Sequence, residues 1–425
     1  MALKEIIKKI SPNFLIDWYH LCTSALGAAF YRFPSREIAV IGVTGTNSKS
    51  TVVELTTSIL EGAGHKVASF SSIKFKIGEK EQPNLLKMTM PGRFKLQRLL
   101  RQAVESNCKY AIVEVTSEGI KQHRHRFVDF KVAVFTNLSP EHIEAHGGFD
   151  NYKKAKGQLF KSVKEIHVIN LDDENAGYFL HFPAKKKYGY GMDTRSDTSS
   201  IRYIRAVNAM VGPFGVQFFA EDTQFSLSLL GNFNIYNALA AICVGLSQNI
   251  SLEVCQAALK DVKGVPGRME EIISSPFRVV VDYAFTPNAL EKAYKTIKDN
   301  NKDLQQPSLI CVLGAAGGGR DKWKRPVLGE IAGKYCDEII ITNEDPYDED
   351  PRQIMKDVAS GTNKPVKEIL DRKEAVRAAL ELAHAKDSVI ITGKGSEPWM
   401  CVAGGKKIPW DDREIVKEEF KRLNE

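Results

Sequence analysis

Apolar residues come in short, nearly continuous runs, and amphipathic stretches separate them. Ile38 to Val43 is one such run, ending in a turn of Gly, Thr and Asn. After it, Val52, Val53, Leu55, Ile59 and Leu60 recur at helical spacing from Ser50, and Gly62 and Gly64 stop the pattern. The runs Tyr110–Val115, Val132–Phe135 and Ile166–Leu171 have the same unbroken apolar character. A strand covered on both faces reads this way, so the pattern predicts a doubly wound, mostly parallel sheet. Residues 196–230 alternate instead, and Phe214–Phe219 with Phe225–Leu229 predicts a small antiparallel patch. A second α/β series follows Pro266-Gly267-Arg268, with strands expected at Arg278–Val281, Leu309–Leu313, Glu338–Thr342 and Ser388–Thr392. Asp299 to Gln306 reads as a polar loop within it.

The run from Phe14 to Tyr31 is long enough to raise the question of a membrane span. Asp17 and His20 lie inside it, and a charge at bilayer depth is costly, so a spanning helix is rejected. It also lacks the small-residue cleavage pattern of a signal peptide. An amphipathic helix packed on the next domain is expected, with peripheral membrane contact as the alternative.

With 425 residues, 43% hydrophobic and 26% charged, the chain suits a soluble globular protein of two to four domains. Collagen-like and wholly disordered classes are excluded. The net charge of +7 comes without any run of five basic residues, which fits an enzyme of phosphate-bearing substrates and not a nucleic-acid binder. Seven cysteines without a CxxC pair argue against a disulfide framework or zinc ribbon and for a reducing compartment.

Between the first strand and its helix lies Gly45-Thr46-Asn47-Ser48-Lys49-Ser50-Thr51. Glycine lets backbone N–H groups approach phosphate oxygens, and the helix N-terminus adds a positive end. Lys49 would hold the β- and γ-phosphates and Ser50 a Mg²⁺ ion. Ser48 stands where such P-loops carry glycine, and its Cβ is expected to crowd the phosphates. Further on, Glu114 ends an apolar strand, a position from which a carboxylate can hold Mg²⁺.

Several more motifs follow in order. They are Thr136-Asn137-Leu138-Ser139-Pro140-Glu141-His142 with Lys156 fourteen residues later, Leu230-Gly231-Asn232-Phe233-Asn234, and Pro266-Gly267-Arg268. Val281-Asp282-Tyr283-Ala284, Gly319-Arg320-Asp321-Lys322-Trp323-Lys324-Arg325-Pro326 and Gly393-Lys394-Gly395-Ser396-Glu397 complete the set. Over residues 37–425 this series resembles the Mur ligases, most closely their MurE branch, which use ATP to join an amino acid to a substrate carboxylate. The resemblance implies a central P-loop ATP-binding domain over 37–263 and a Rossmann-like C-terminal α/β domain over 264–425, and residues 1–36 ahead of it read as a short helical segment.

It also implies roles. Glu114 and His142 would bind two Mg²⁺ ions, and Lys156, carbamylated by CO₂, would help hold them. Asn234, Arg268 and Asp282 would meet the nucleotide, with Arg268 on the γ-phosphate, so that ATP lies between two domains whose closure expels water. Thr89, Thr116, Gln122 and Arg124 would bind the muramoyl peptide, Arg124 through a carboxylate. Glu118 replaces the histidine common there. For the free amino acid, Arg320 would take a carboxylate and Glu397 an ammonium group, beside Gly393. The Asp-Asn-Pro-Arg motif of diaminopimelate-adding enzymes is here Glu344-Asp345-Pro346-Tyr347, followed by Asp348, Glu349 and Asp350. The arginine for a distal carboxylate is missing. The acidic loop either favours an amine, giving lysine or ornithine over meso-diaminopimelate, or is a plain solvated turn.

MurE enzymes carry an N-terminal domain that grips uridine, whereas residues 1–36 alone precede the first strand here. The acceptor is therefore expected to be a UDP-linked peptide held loosely, or a lipid-linked precursor. A cytoplasmic monomer acting through an acyl phosphate, with no transmembrane segment and no nucleic-acid partner, is the expected protein. The alternatives are a folylpolyglutamate synthase-like or cyanophycin synthetase-like ligase, or a non-catalytic nucleotide-binding partner of cell-wall assembly.

Overall fold

In the computed structural model, which describes residues 12–86, 88–141, 143–193, 200–301 and 307–425, the first apolar run forms β1 (Ala39–Thr44). It lies inside an eleven-stranded sheet with β2 (Val67–Phe70), β3 (Lys74–Ile77), β4 (Lys80–Pro83), β5 (Tyr110–Glu114) and β6 (Phe130–Phe135). The remaining strands are β7 (Ile166–Asn170), β8 (Lys186–Gly191), β9 (Arg202–Gly212), β10 (Gly215–Ala220) and β11 (Thr223–Leu227). Their order is β11-β10-β9-β8-β7-β6-β1-β5-β2-β3-β4. Every pairing from β9 across to β2 is parallel, and both ends finish in antiparallel strands. Helices Lys49–Gly62 and Phe233–Ser247 bury their apolar residues on one face. Helices Arg93–Glu105 and Phe149–Ser162 cover the other. A sheet so covered explains the unbroken apolar strands.

The second sheet contains β12 (Glu270–Ile273), β13 (Arg278–Asp282), β14 (Leu309–Leu313), β15 (Glu338–Thr342), β16 (Lys367–Ile369) and β17 (Ser388–Thr392). The order is β12-β13-β17-β14-β15-β16, parallel throughout except for β12 against β13. The mostly parallel sheet followed by a second α/β sheet is the predicted fold class.

Some details differ from the sequence reading. The alternating segments near 196–230 do not stand apart, because β9, β10 and β11 continue the main sheet; residues 194–199 lie outside the described residues. The polar loop expected from Asp299 begins inside a helix, Pro287–Asn300, and 302–306 lie outside the described residues. One disulfide is present where none was expected. Cys311 on β14 and Cys336, just after helix Lys324–Tyr335, form a buried disulfide with their Cα atoms 6.0 Å apart. Packing of that helix on the sheet brings together two residues whose spacing carried no signal. The other five cysteines are free.

The N-terminal run is a helix, Asn13–Phe30, lying on helix Arg93–Glu105. Asp17, the charge that argued against a span, pairs with His123 at 2.7 Å. Among the described residues no helix is long and apolar enough to cross a membrane.

Candidate active site

The loop leaving β1 is stitched to the segment after β6. Thr46 N–H donates to the Asn137 carbonyl, Asn47 N–H to Asn137 Oδ1, and the Thr136 hydroxyl to the Asn47 carbonyl. Gly45 has no room for a side chain, since a Cβ there would collide with the Thr136 hydroxyl. Ser48 has φ 72°, a left-handed conformation, immediately before helix Lys49–Gly62. That conformation gives a physical reason for glycine at this position in such loops: a non-glycine residue there carries a cost of about 1–2 kcal/mol.

Lys49 is half-buried at the head of its helix, and its Nζ donates to the Thr46 carbonyl at 2.8 Å. Burial holds its pKa below the ordinary lysine value, while nearby Glu114 pulls the other way. The Ser50 hydroxyl donates to Glu114 Oε2 at 3.0 Å, and the backbone N–H of Ser72 donates to the same oxygen at 2.6 Å. From the other half of the chain, Arg268 Nη2 donates to Ser72 Oγ at 3.3 Å. Lys156 is buried, with Nζ 2.7 Å from the Gly45 carbonyl and 4.6 Å from the Tyr152 ring centroid. Among the described residues it has no ion pair, and burial, then Lys49, holds it well below the usual lysine range.

Asp282 ends β13. Its two oxygens accept the N–H groups of Met269 and Ala284, which fastens the segment carrying Arg268 to the second sheet. The Arg268 guanidinium stacks 4.3 Å over Tyr283. Buried Asn234 donates to the Leu230 carbonyl and accepts from Asn237. The two halves also meet at a buried ion pair, Glu141 to Lys324 at 3.0 Å, and at Asp321, which accepts the N–H groups of Ile143 and Glu144.

These groups face a cavity of about 560 Å³. All seven residues of Gly45–Thr51 line it, as do Thr89, Glu114, Thr116, Lys156, Asn234, Arg268, Asp282, Arg320, Glu344, Asp345, Gly393 and Glu397. His142 lies outside the described residues. Gln122, Arg124 and Tyr347 lie outside the cavity wall. Arg124 spends its guanidinium on the Met90 carbonyl and Gln122 Oε1, and Gln122 in turn donates to Glu118. Tyr347 packs over Gly318, where a Cβ would meet its ring. The acids after it face other groups: Asp348 accepts the Gly404 N–H, Glu349 pairs with Arg325, and Asp350 caps helix Pro351–Ala359.

At the far end of the cavity Lys394 pairs with both Asp345 and Glu397, and the Tyr283 hydroxyl donates to Glu397. Glu344 is buried beside them. Among the described residues its Oε2 has no partner, and burial pushes its pKa up to about 7. Several wall residues escaped the sequence reading, among them Ser72, Asp172, Asp173, Tyr236, Lys292 and Trp399. Asp172 and Asp173 follow the end of β7, a strand-end position that could have marked them. Ser72 and Trp399 had no such signal.

The Mur ligase middle domain family matches residues 43–245, and the Mur ligase glutamate ligase domain family matches residues 267–395. The UDP-N-acetylmuramoyl-L-alanyl-D-glutamate–2,6-diaminopimelate ligase of Syntrophomonas wolfei is 37% identical over 402 residues, covering 92% of this chain and 80% of that protein. The UDP-N-acetylmuramyl-tripeptide synthetase of a Roseiflexus species is 36% identical, covering 97% and 84%. A solved structure of a UDP-N-acetylmuramoyl-L-alanyl-D-glutamate–2,6-diaminopimelate ligase superposes with a TM-score of 0.60 at 29% identity, covering 91% and 79%. The two family matches together span both sheets, and the chain belongs to the Mur ligase family, with relatives of the MurE type.

Proposed function

We propose that the chain is an ATP-dependent ligase of the MurE type, which adds an amino acid to a UDP-linked muramoyl peptide in peptidoglycan precursor synthesis. One observation carries this reading. Lys49, Glu114 and Lys156 from the first sheet's side and Arg268, Arg320 and Glu397 from the second line a single cavity. Helix Lys49–Gly62 aims its positive end and its first N–H groups at that space, which suits triphosphate. The donors fit Mg²⁺. Ser50 and Glu114 are hard oxygen ligands, and among the described residues no cluster of His, Cys, Asp and Glu could hold a metal unaided. Mg²⁺ binds through one or two carboxylates with phosphate oxygens and water completing its shell, and when bound it neutralises phosphate charge.

The acceptor's carboxylate attacks the γ-phosphorus of ATP and yields an acyl phosphate and ADP. The amine of the free amino acid then attacks the acyl carbon, and phosphate leaves as the amide forms. Lys49 and Arg268 balance the charge of the transferring phosphoryl group. Lys156 is proposed to be carbamylated and, with Glu114 and His142, to hold two ions. A buried amine with no carboxylate partner is an expensive arrangement, and its conversion to an anion facing divalent cations removes the cost. We read residues 37–263 as the ATP-binding domain, 264–425 as the C-terminal domain and 1–36 as a short helical segment; nucleotide-linked substrates imply a cytoplasmic enzyme.

The relatives' names specify 2,6-diaminopimelate, yet the amino-acid end here offers few cations. Lys394, Lys324 and Arg372 are each ion-paired, and Arg320 has no ion pair among the described residues. One arginine suits one carboxylate, and unpartnered Glu344 suits an ammonium group. Lysine or ornithine is therefore proposed over meso-diaminopimelate. The test is incubation with ATP, Mg²⁺, a UDP-muramoyl dipeptide and single amino acids, reading product mass and ADP release. ADP release that no amino acid stimulates would refute the ligase, and selection of meso-diaminopimelate would refute only the specificity.

A further inference from the structure

Helix Asn13–Phe30 is inside out for a soluble protein. Polar groups along its inner edge reach His123: buried Ser24 donates its hydroxyl to the His123 carbonyl, and Asp17, itself largely exposed, pairs with the His123 ring. At 100° per residue, Phe14, Leu15, Trp18, Tyr19, Leu26 and Phe30 fall within a single sector of about 160°, and no charged residue falls there. That sector is the one facing solvent, with Phe14 70%, Trp18 67%, Leu26 61% and Phe30 73% exposed. Two neighbours enlarge it. Phe94 packs against the helix at Gly27, Phe127 follows the turn that holds Asp17, and both remain exposed. An apolar surface of this extent, contiguous and uncharged, marks a docking face.

The rim indicates what docks. Exposed Arg32 and Arg36 follow the helix, Lys95 and Arg98 flank Phe94, and Arg126 precedes Phe127. Arg93 lies 5.5 Å over the Tyr19 ring and Arg36 4.4 Å over Phe33. Of the nearby acids, Asp17 is held by His123 and Glu37 by Arg101. Trp, Tyr and Phe ringed by arginine and lysine complement an anionic lipid surface: the rings enter the headgroup boundary and the cations meet the headgroups. A second copy fits less well, because two-fold pairing would set one cationic rim against another. We propose that this helix lies in the plane of an anionic membrane and docks the protein there peripherally, without spanning it.

Sedimentation of the full chain with vesicles of phosphatidylcholine, alone or with equimolar phosphatidylglycerol, tests this. Binding is expected to the mixed vesicles, to weaken with salt, and to be lost in Trp18→Glu/Phe30→Glu. Arg32→Gln and Arg36→Gln should each weaken it about fivefold. Both substitutions lie at exposed positions, so thermal stability and ligation of soluble substrates should be unchanged in every variant, which separates lost docking from lost folding. Absence of binding, equal binding to both vesicle types, or retention in the double variant would overturn the proposal. So would a dimer, seen by light scattering, that the same double substitution dissolves.

Discussion

Glu344→Gln should stabilise the protein while weakening its grip on the amino acid. Glu344 is buried, one of its oxygens has no partner, and burial raises its pKa from an ordinary 4.5 to about 7 against the pull of Arg372 and Lys394. A carboxylate whose folded pKa lies above its unfolded value is tolerated best when protonated. The folded state therefore carries no penalty below pH 4.5, gains one as pH rises from 4.5 to 7, and keeps it above 7. At about 1.4 kcal/mol per pH unit the full penalty is about 3 kcal/mol. Glutamine keeps the shape and cannot ionise. Its advantage over glutamate should be small at pH 5 and grow by about 2–3 kcal/mol by pH 8, read as denaturation midpoints in urea at each pH. If Glu344 holds the substrate's ammonium group as proposed, the same substitution removes a charge-assisted hydrogen bond worth about 1.5–3 kcal/mol, and KM for the amino acid should rise about 10- to 100-fold. Parallel stability curves for the two proteins between pH 5 and 8 would refute the reasoning, because they would mean that Glu344 ionises as an ordinary carboxylate.

Three further substitutions probe the cavity. Lys156→Ala should nearly abolish ligation, with acetate restoring part of it and bicarbonate none; wild-type turnover of this variant in CO₂-free buffer would remove Lys156 from the mechanism. Ser48→Gly relieves a left-handed serine, so it should stabilise the protein by about 1 kcal/mol and tighten ATP binding or leave it unchanged, and a large loss of affinity by calorimetry would instead reveal a hydroxyl contact. Lys324→Met strands buried Glu141 and should cost about 3 kcal/mol in urea unfolding, most of it recovered in Lys324→Met/Glu141→Leu; a neutral single variant would show that the pair contributes nothing.

The strands and the phosphate loop were legible in the sequence because their physics is local. A strand buried on both faces must be apolar along its length, and β1, β5, β6, β7, β14 and β17 all read that way. Among the missed strands, β3 and β4 are short and polar, KFKI and KEQP, at an exposed edge where no such demand applies, and buried β2 is only four residues long, VASF, too short a run to stand out. The Cys311–Cys336 bond was invisible because it depends on how a helix settles on its sheet.

The cavity divides in the same way. The end proposed for phosphate is built from consecutive residues, Gly45 to Thr51, leading into a helix N-terminus, so spacing alone marks it. Its amino-acid end is built by subtraction. Six acids fall between Glu344 and Glu397 in the motifs read from the sequence, and their number suggested a surface that attracts amines. Folding removes most of them from that role. Asp345 and Glu397 are held by Lys394, Glu349 by Arg325, Asp350 by a helix end and Asp348 by the Gly404 amide. Glu344 remains, and its distinction is the absence of a partner for Oε2. A pairing with a residue far along the chain is what decides whether a charge is available to a substrate. On the proposed reading, the two groups that would meet the amino acid, Glu344 and Arg320, are joined by no local motif and come together only in the wall of one cavity.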